Sequence, residues 1–153
     1  MADKIEPPDV DLIATWVKRC YLATRVAMES ALRPYGLGAT QWYVLQRLAQ
    51  QGPTMQRDLQ RLLQVERATL SAVAGVLVGK GLIAQVPDRV DQRQKLLQIT
   101  PEGKALWDEL PDLGAICRVA FGGLDAGAIA AAIAVLRTAT DQLEKLSLKG
   151  GDL

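Results

Sequence analysis

The hydrophobic pattern of the chain opens with one long amphipathic helix. From about residue 9 to residue 33, apolar side chains recur every three or four positions, which is the spacing of a single helix face. Pro34 and the glycines at 36 and 38 are typical of the end of a helix. The apolar stripe is wide, so either the C-terminal part of the chain or a second copy of the chain is expected to cover it.

Three shorter helices are predicted next, over residues 41–50, 55–63 and 66–78. Thr40 is positioned to cap the first of them, and Gly52 follows its end. We expect the other two to bury the following apolar residues: Leu59, Leu62, Leu63, Leu70, Val73, Ala74 and Leu77. Two short helices joined by a tight connection and followed by a glycine stop are typical of a helix-turn-helix.

Two short strands, over residues 82–86 and 95–99, follow this motif. The residues between them are polar and charged, and a charged hairpin directly after a helix-turn-helix is typical of a wing. The pattern therefore indicates a mainly α fold with a small β wing (α+β).

The C-terminal third is again helical. Thr100 is placed as an N-cap with Pro101 at the first helical position, and the apolar pattern then runs to Phe121 with Pro111 predicted to kink the helix. Asp125 is placed to cap a last amphipathic helix. The whole chain, 1–153, is thus expected to be one domain, in which a winged helix-turn-helix over 40–100 is embedded in terminal helices over 9–36 and 101–147.

The chain contains no histidine. That absence excludes Ser-His-Asp and Cys-His catalysis and removes the commonest zinc ligand. Neither a GxxxxGK[ST] phosphate loop nor a GxGxxG turn after a strand is present. We therefore expect a protein that is not an enzyme and uses no cofactor or metal ion.

The charge distribution points to an anionic partner. Between residues 41 and 104 nine Lys and Arg face five Asp and Glu, whereas the remaining residues carry nine basic and twelve acidic side chains. A basic centre between acidic ends suits contact with a polyanion. The N-terminus lacks the apolar core of a signal peptide and no apolar run reaches membrane-spanning length, so a cytoplasmic location without membrane contact is expected.

Taken together, these features make the sequence resemble the MarR (multiple antibiotic resistance regulator) family. The resemblance is carried in motif detail from about residue 37 to 110 and in helix order over nearly the whole chain. The matching pieces are Gly36-Leu37-x-x-Thr40-Gln41-Trp42-x-Val44-Leu45, Gly52-Pro53, Leu59, Val65-x-x-x-Thr69-Leu70-Ser71, Lys80-Gly81-Leu82-Ile83, Asp91-x-Arg93 and Ile99-Thr100-x-x-Gly103.

The resemblance implies a homodimer joined through its N- and C-terminal helices, which form an α-helical dimerisation frame. The fourth helix would enter the major groove of double-stranded DNA, and the wing would lie against the minor groove. Regulators of this family usually repress genes at a pseudo-palindromic operator, and many release DNA when a small aromatic acid binds.

Helical geometry and the resemblance together suggest the DNA-binding residues. With the apolar face of the fourth helix buried, Arg67, Ser71 and Ala72 lie on its opposite face and Thr69 at its edge. The family often has arginine where this chain has Ala72, so base discrimination is expected to depend more on Arg67, the wing and DNA shape.

In the wing, Arg93 matches the arginine that the family inserts into the minor groove, and Asp91 matches the acid that pairs with it. The flanking Arg89 and Lys95 are candidate phosphate contacts.

An effector site is expected from the aromatic and basic residues Trp16, Tyr21, Arg25 and Trp42, because an apolar cleft with a basic group suits an aromatic carboxylate. Ordinary core packing is the alternative for these residues.

Cys20 and Cys117 lie on apolar stripes, which favours buried, unreactive thiols. Two further hypotheses stay open: a redox-sensing regulator that uses Cys20, and an interaction protein that keeps the winged fold but has lost specific DNA reading.

Overall fold

The N-terminal helix follows the sequence pattern closely. The computed structural model describes residues 9–148, so the expectation about a signal peptide concerns residues outside the described range. Helix α1 (Val10–Leu32) begins at Asp9, whose carboxylate accepts hydrogen bonds from the backbone N–H groups of Asp11 and Leu12. A short 3-10 helix (Arg33–Tyr35) follows, and Gly36 ends it in the left-handed region at φ 67°.

The described chain forms two compact units, and the first extends to Leu113. After α1 it contains α2 (Ala39–Gln51), β1 (Thr54–Met55), α3 (Gln56–Leu63), α4 (Arg67–Gly79), β2 (Ile83–Pro87), β3 (Lys95–Ile99) and α5 (Pro101–Glu109). The second unit contains α6 (Gly114–Phe121) and α7 (Ala126–Leu148). Asp125 caps α7 as predicted, because its Oδ2 accepts from the N–H of Ala128 at 2.9 Å.

The core of the first unit brings together apolar side chains from most of its elements. Those with almost no exposed surface are Leu32, Val44, Leu45, Leu48, Leu59, Leu70, Leu77, Ile83 and Leu97. The expectation that Leu62 joins them is wrong, because Leu62 is 56% exposed. It lies almost one turn beyond Leu59 on a helix of only eight residues, and only Leu59 is directed fully into the core.

The sheet has three antiparallel strands in the order β1-β3-β2. The hairpin pairs Ile83 with Ile99 and Pro87 with Lys95, and β1 pairs Thr54 with Leu97. The sequence pattern did not predict β1, since two residues are too few to show an alternation of apolar and polar positions.

Two details of the helices also differ from the predictions. Helix α2 begins at Ala39 rather than after Thr40, and Gln41 Oε1 accepts from the N–H of Gly38 at 3.1 Å. Pro111 separates two helices instead of kinking one: Leu110 has ψ 146°, the extended conformation favoured before proline.

Among the described residues, no single helix is both long and apolar enough for a membrane span.

Candidate nucleic-acid interface

Helices α3 and α4 form a helix-turn-helix. Their axes meet at a bend of 117°, and only Gln64, Val65 and Glu66 connect them. Gln64 adopts the left-handed conformation at φ 51°, and its N–H donates to the carbonyls of Gln60 and Arg61. Because this turn changes the chain direction within three residues, α4 packs on the core through one face and leaves the other face free.

The free face of α4 carries the residues predicted from its periodicity. Leu70, Ala74 and Leu77 are buried. The exposed positions include all four predicted DNA-binding residues of this helix, Arg67, Thr69, Ser71 and Ala72.

A cleft of about 290 Å³ lies between this face, the start of α3 and the wing. Its lining residues are Gln56, Arg57, Gln60, Arg67, Ser71, Arg93, Gln94 and Lys95. Four of them are cationic and none is acidic. One of these cations is paired: Asp58 is 3.8 Å from the Nε of Arg57, and both side chains are more than half exposed, so water screens this pair.

The wing loop is held by hydrogen bonds of its own backbone. The N–H of Asp88 donates to the carbonyl of Gln94 at 3.0 Å, and the N–H of Gln94 donates to the carbonyl of Asp91 at 2.9 Å. The carboxylate of Asp88 accepts from the N–H of Asp91 at 3.1 Å. These bonds fix the path of the loop, which carries Arg89 exposed at its tip.

Asp91 acts on Arg93 differently from what the resemblance implied. Its Oδ1 accepts from the backbone N–H of Arg93 at 3.1 Å, and no ion pair between the two side chains is found among residues 9–148. Asp91 therefore contacts the backbone of Arg93 here rather than its guanidinium. The Arg93 side chain is exposed and lines the cationic cleft together with Lys95.

The residues expected to bind an effector lie on two helices, α1 and α2. On α1, Arg25 Nη1 donates to Tyr21 Oη at 3.3 Å and Nη2 lies 3.4 Å from Glu29 Oε1; the bond to Tyr21 is the main cause of the raised pKa of the Arg25 guanidinium. Trp16 is more than half exposed and lies beneath the guanidinium of Arg19.

Trp42 lies on α2. Its ring lies 5.6 Å from that of Trp107 and 5.1 Å from that of Tyr43. Its Nε1 is buried and has no hydrogen-bond partner within the described part of the chain.

Both cysteines are exposed in the structure of the single chain. The prediction that their thiols are buried is therefore wrong for the isolated chain. The described residues leave the stripe on α1 around Cys20 exposed, and α6, which carries Cys117, has no buried residue. Between residues 9 and 148, no group of three Cys, Asp or Glu side chains is arranged to hold a metal ion.

Comparison with known proteins identifies the family. Residues 35–94 match the model of the MarR family. The transcriptional repressor NicR of Pseudomonas putida is 30% identical over 122 residues, which cover 79% of this chain and 77% of NicR. The chain belongs to the MarR family. BadR of Rhodopseudomonas palustris, a transcriptional activatory protein, is 35% identical over 85 residues, or 52% of this chain and 47% of BadR.

Solved structures of MarR-family proteins show the same fold. BpsR of Bordetella bronchiseptica, whose DNA binding is regulated by 6-hydroxynicotinic acid, superposes with a TM-score of 0.75 at 27% identity, covering 88% of this chain and 98% of BpsR. A variant of MarR from E. coli complexed with operator DNA has a TM-score of 0.75 at 20% identity, over 86% of this chain and 99% of that one. The chain is thus a MarR-family transcriptional regulator with the predicted winged helix-turn-helix.

Sequence reasoning missed part of the cleft of this MarR-family chain. Four of its lining residues are not among the predicted DNA-binding residues: Gln56, Arg57, Gln60 and Gln94. Glutamines carry no charge signal, and the β1–β3 pairing that brings the start of α3 to the wing was not predicted.

Proposed function

We propose that this chain is a homodimeric, sequence-specific DNA-binding regulator that represses transcription from a pseudo-palindromic operator. One observation carries the proposal: α4 and the wing contribute cations to the same carboxylate-free cleft, through Arg67 on one side and Arg93 and Lys95 on the other. A duplex phosphate backbone is a regular polyanion that such a cleft would neutralise.

In this arrangement α4 enters the major groove and the wing follows the neighbouring minor groove. Arg67 and Ser71 can donate to phosphates or base edges, and Ala72 can contact a thymine methyl group. Arg93 would enter the minor groove, where a narrow A·T-rich tract concentrates negative potential. Arg89, Lys95 and Thr69 would make the flanking backbone contacts, and Asp91 would keep Arg93 in place through its backbone.

The uncovered apolar surface supports the homodimer. The exposed residues of α1 include Val10, Leu12, Ile13, Trp16, Val17, Leu22 and Val26, and those of α7 include Ile133, Val135, Leu136 and Leu143. Large apolar side chains left exposed on a helix favour burial against a partner, and two-fold symmetry would match the two halves of an operator. Sedimentation equilibrium should give twice the chain mass for the wild type, and Val17→Asp should shift it towards the single-chain mass.

An effector of the aromatic carboxylate class is part of the proposal. Arg25 on α1 supplies a permanent positive charge, and the buried Nε1 of Trp42 on α2 supplies a donor that has no partner among residues 9–148. The effector of BpsR is an aromatic acid of this class. Titration with 6-hydroxynicotinic acid should quench tryptophan fluorescence and weaken DNA binding, and Trp42→Phe should reduce both responses. A fluorescence signal that is flat at millimolar ligand would reject this class of effector.

Anisotropy measurements on labelled duplexes test DNA reading itself. Fragments from upstream of the gene should bind at least about a thousand times more tightly than scrambled competitor at physiological salt. If every fragment binds like competitor at two salt concentrations, specific DNA reading is refuted, and the interaction-protein hypothesis takes its place.

A further inference from the structure

Three polar side chains form a hydrogen-bonded chain across the elements of the winged domain. Gln85 on β2 donates through Nε2 to Gln56 Oε1 on α3, at 2.7 Å. Gln56 donates in turn through Nε2 to Ser71 Oγ on α4, at 3.2 Å. This series of hydrogen bonds ends at the exposed hydroxyl of Ser71 on the free face of α4. Gln56 and Ser71 both line the cationic cleft.

The direction of these bonds fixes what Ser71 can offer to a ligand. A primary amide has one oxygen that accepts and one nitrogen that donates. Because Gln85 donates to the oxygen of Gln56, Gln56 presents its N–H to Ser71, and the Ser71 oxygen accepts. The single hydroxyl proton of Ser71 is then free to be donated outwards. A serine without these hydrogen bonds can either donate or accept, so it distinguishes the bases poorly.

We infer that Gln56 and Gln85 are specificity-determining positioning residues, which hold Ser71 as a hydrogen-bond donor and thereby give α4 a preference for guanine. Guanine is the only base whose major-groove edge carries two acceptors, N7 and O6, and no amino donor. Adenine has its N7 acceptor beside an amino donor, thymine has its O4 acceptor beside a methyl group, and cytosine has an amino donor. This inference rests on the proposed function. It gives α4 a polar base contact one residue before Ala72, which has no side-chain donor of its own.

The test compares base preferences of the full-length protein on a duplex library randomised across one half-site. Ser71→Ala should remove a guanine preference at one base pair of the half-site. Gln85→Met removes the donor at the far end of the chain and should lower the same preference by about 3- to 10-fold, the effect of one hydrogen bond. Its salt dependence and non-specific affinity should equal those of the wild type, because no charge changes.

A matched control variant, a double variant and a modified base test the same inference further. Gln98→Met alters a glutamine on the neighbouring strand β3, outside the chain of bonds, and should leave every base preference unchanged. The double variant Ser71→Ala with Gln85→Met should behave like Ser71→Ala alone, since Gln85 acts only through Ser71. Replacing the preferred guanine by 7-deazaguanine should weaken the wild type and should not affect Ser71→Ala.

The outcomes separate this inference from the proposed function. If the wild type selects a half-site but Gln85→Met keeps the full preference at the base pair read by Ser71, the positioning role is overturned while DNA reading stands. A preferred base other than guanine at that pair would overturn the assignment of guanine, and a preference for cytosine, whose major-groove edge offers only an amino donor, would also overturn the donor role of Ser71. If the wild type selects no sequence at all, both the inference and the proposed function fail.

Discussion

The first turn of α5 approaches the backbone that precedes β2 most closely at Gly103. A Cβ on Gly103 would lie 1.9 Å from the carbonyl oxygen of Leu82 and 2.8 Å from Cγ1 of Ile99. Favourable carbon contacts need about 3.5 Å or more, so in Gly103→Ala the helix would have to withdraw by more than an ångström.

The withdrawal would strain a small set of hydrogen bonds. The N–H of Thr100 donates to the Leu82 carbonyl at 3.0 Å, and the Thr100 hydroxyl accepts from the N–H of Gly103 at 3.0 Å while donating to the Gly81 carbonyl at 2.6 Å. Overpacking costs about 1–3 kcal/mol and a lost hydrogen bond about 1 kcal/mol. We therefore expect Gly103→Ala to lower the free energy of unfolding by about 3 kcal/mol and the Tm by about 6–12 °C.

Urea unfolding followed by circular dichroism measures this effect, at one fixed protein concentration because a dimer unfolds in a concentration-dependent way. Gly75→Ala is the matched control: its Cβ would meet nothing within 4 Å inside α4, so it should raise the unfolding free energy by about 0.5–1 kcal/mol. If Gly103→Ala unfolded at the urea concentration of the wild type, the close approach of α5 would be refuted.

Two further substitutions test the packing and the caps. Leu59→Ala should cost about 2–5 kcal/mol of unfolding free energy because Leu59 is fully buried, whereas Leu62→Ala on the same helix should cost less than about 1 kcal/mol; equal losses in thermal denaturation would contradict the orientation of α3. Thr100→Ala should cost about 1–2 kcal/mol, since it removes the cap of α5 and the bond to Gly81 together; an unchanged melting curve would show that neither bond contributes.

Local rules predicted most of the fold from the sequence. Helical periodicity with Thr100 and Asp125 as caps located the helices, and apolar runs on either side of a charged loop located the hairpin of the wing. The rules failed where the signal was short or where two signals competed. The two residues of β1 carry no period, and on α3 the apolar Leu62 fits the helical pattern although the short helix directs it into solvent.

The candidate site was only partly accessible to such reasoning. Helical geometry places Arg67 and Ser71 on one face without any knowledge of tertiary structure. The contacts of Gln56 depend on tertiary structure, because its bonds to Ser71 and Gln85 span 15 and 29 residues of sequence. The exposure of Cys20 was missed for a related reason: an apolar stripe shows that a surface needs a cover, but not whether the same chain provides it.

The salt dependence of DNA binding by Arg93→Ala tests the central claim most directly. The control is Lys104→Ala, which removes an equal charge from α5, where Lys104 pairs with Asp108 outside the cleft. A cation in the minor groove displaces condensed counterions as a phosphate contact does, and each neutralised charge contributes about 0.9 to the slope of log K against log salt. Arg93→Ala should therefore reduce the slope of a bound dimer by about 2 and weaken binding severalfold. Lys104→Ala should keep the slope of the wild type. If Arg93→Ala keeps it as well, the cleft between α4 and the wing is not where this protein meets DNA.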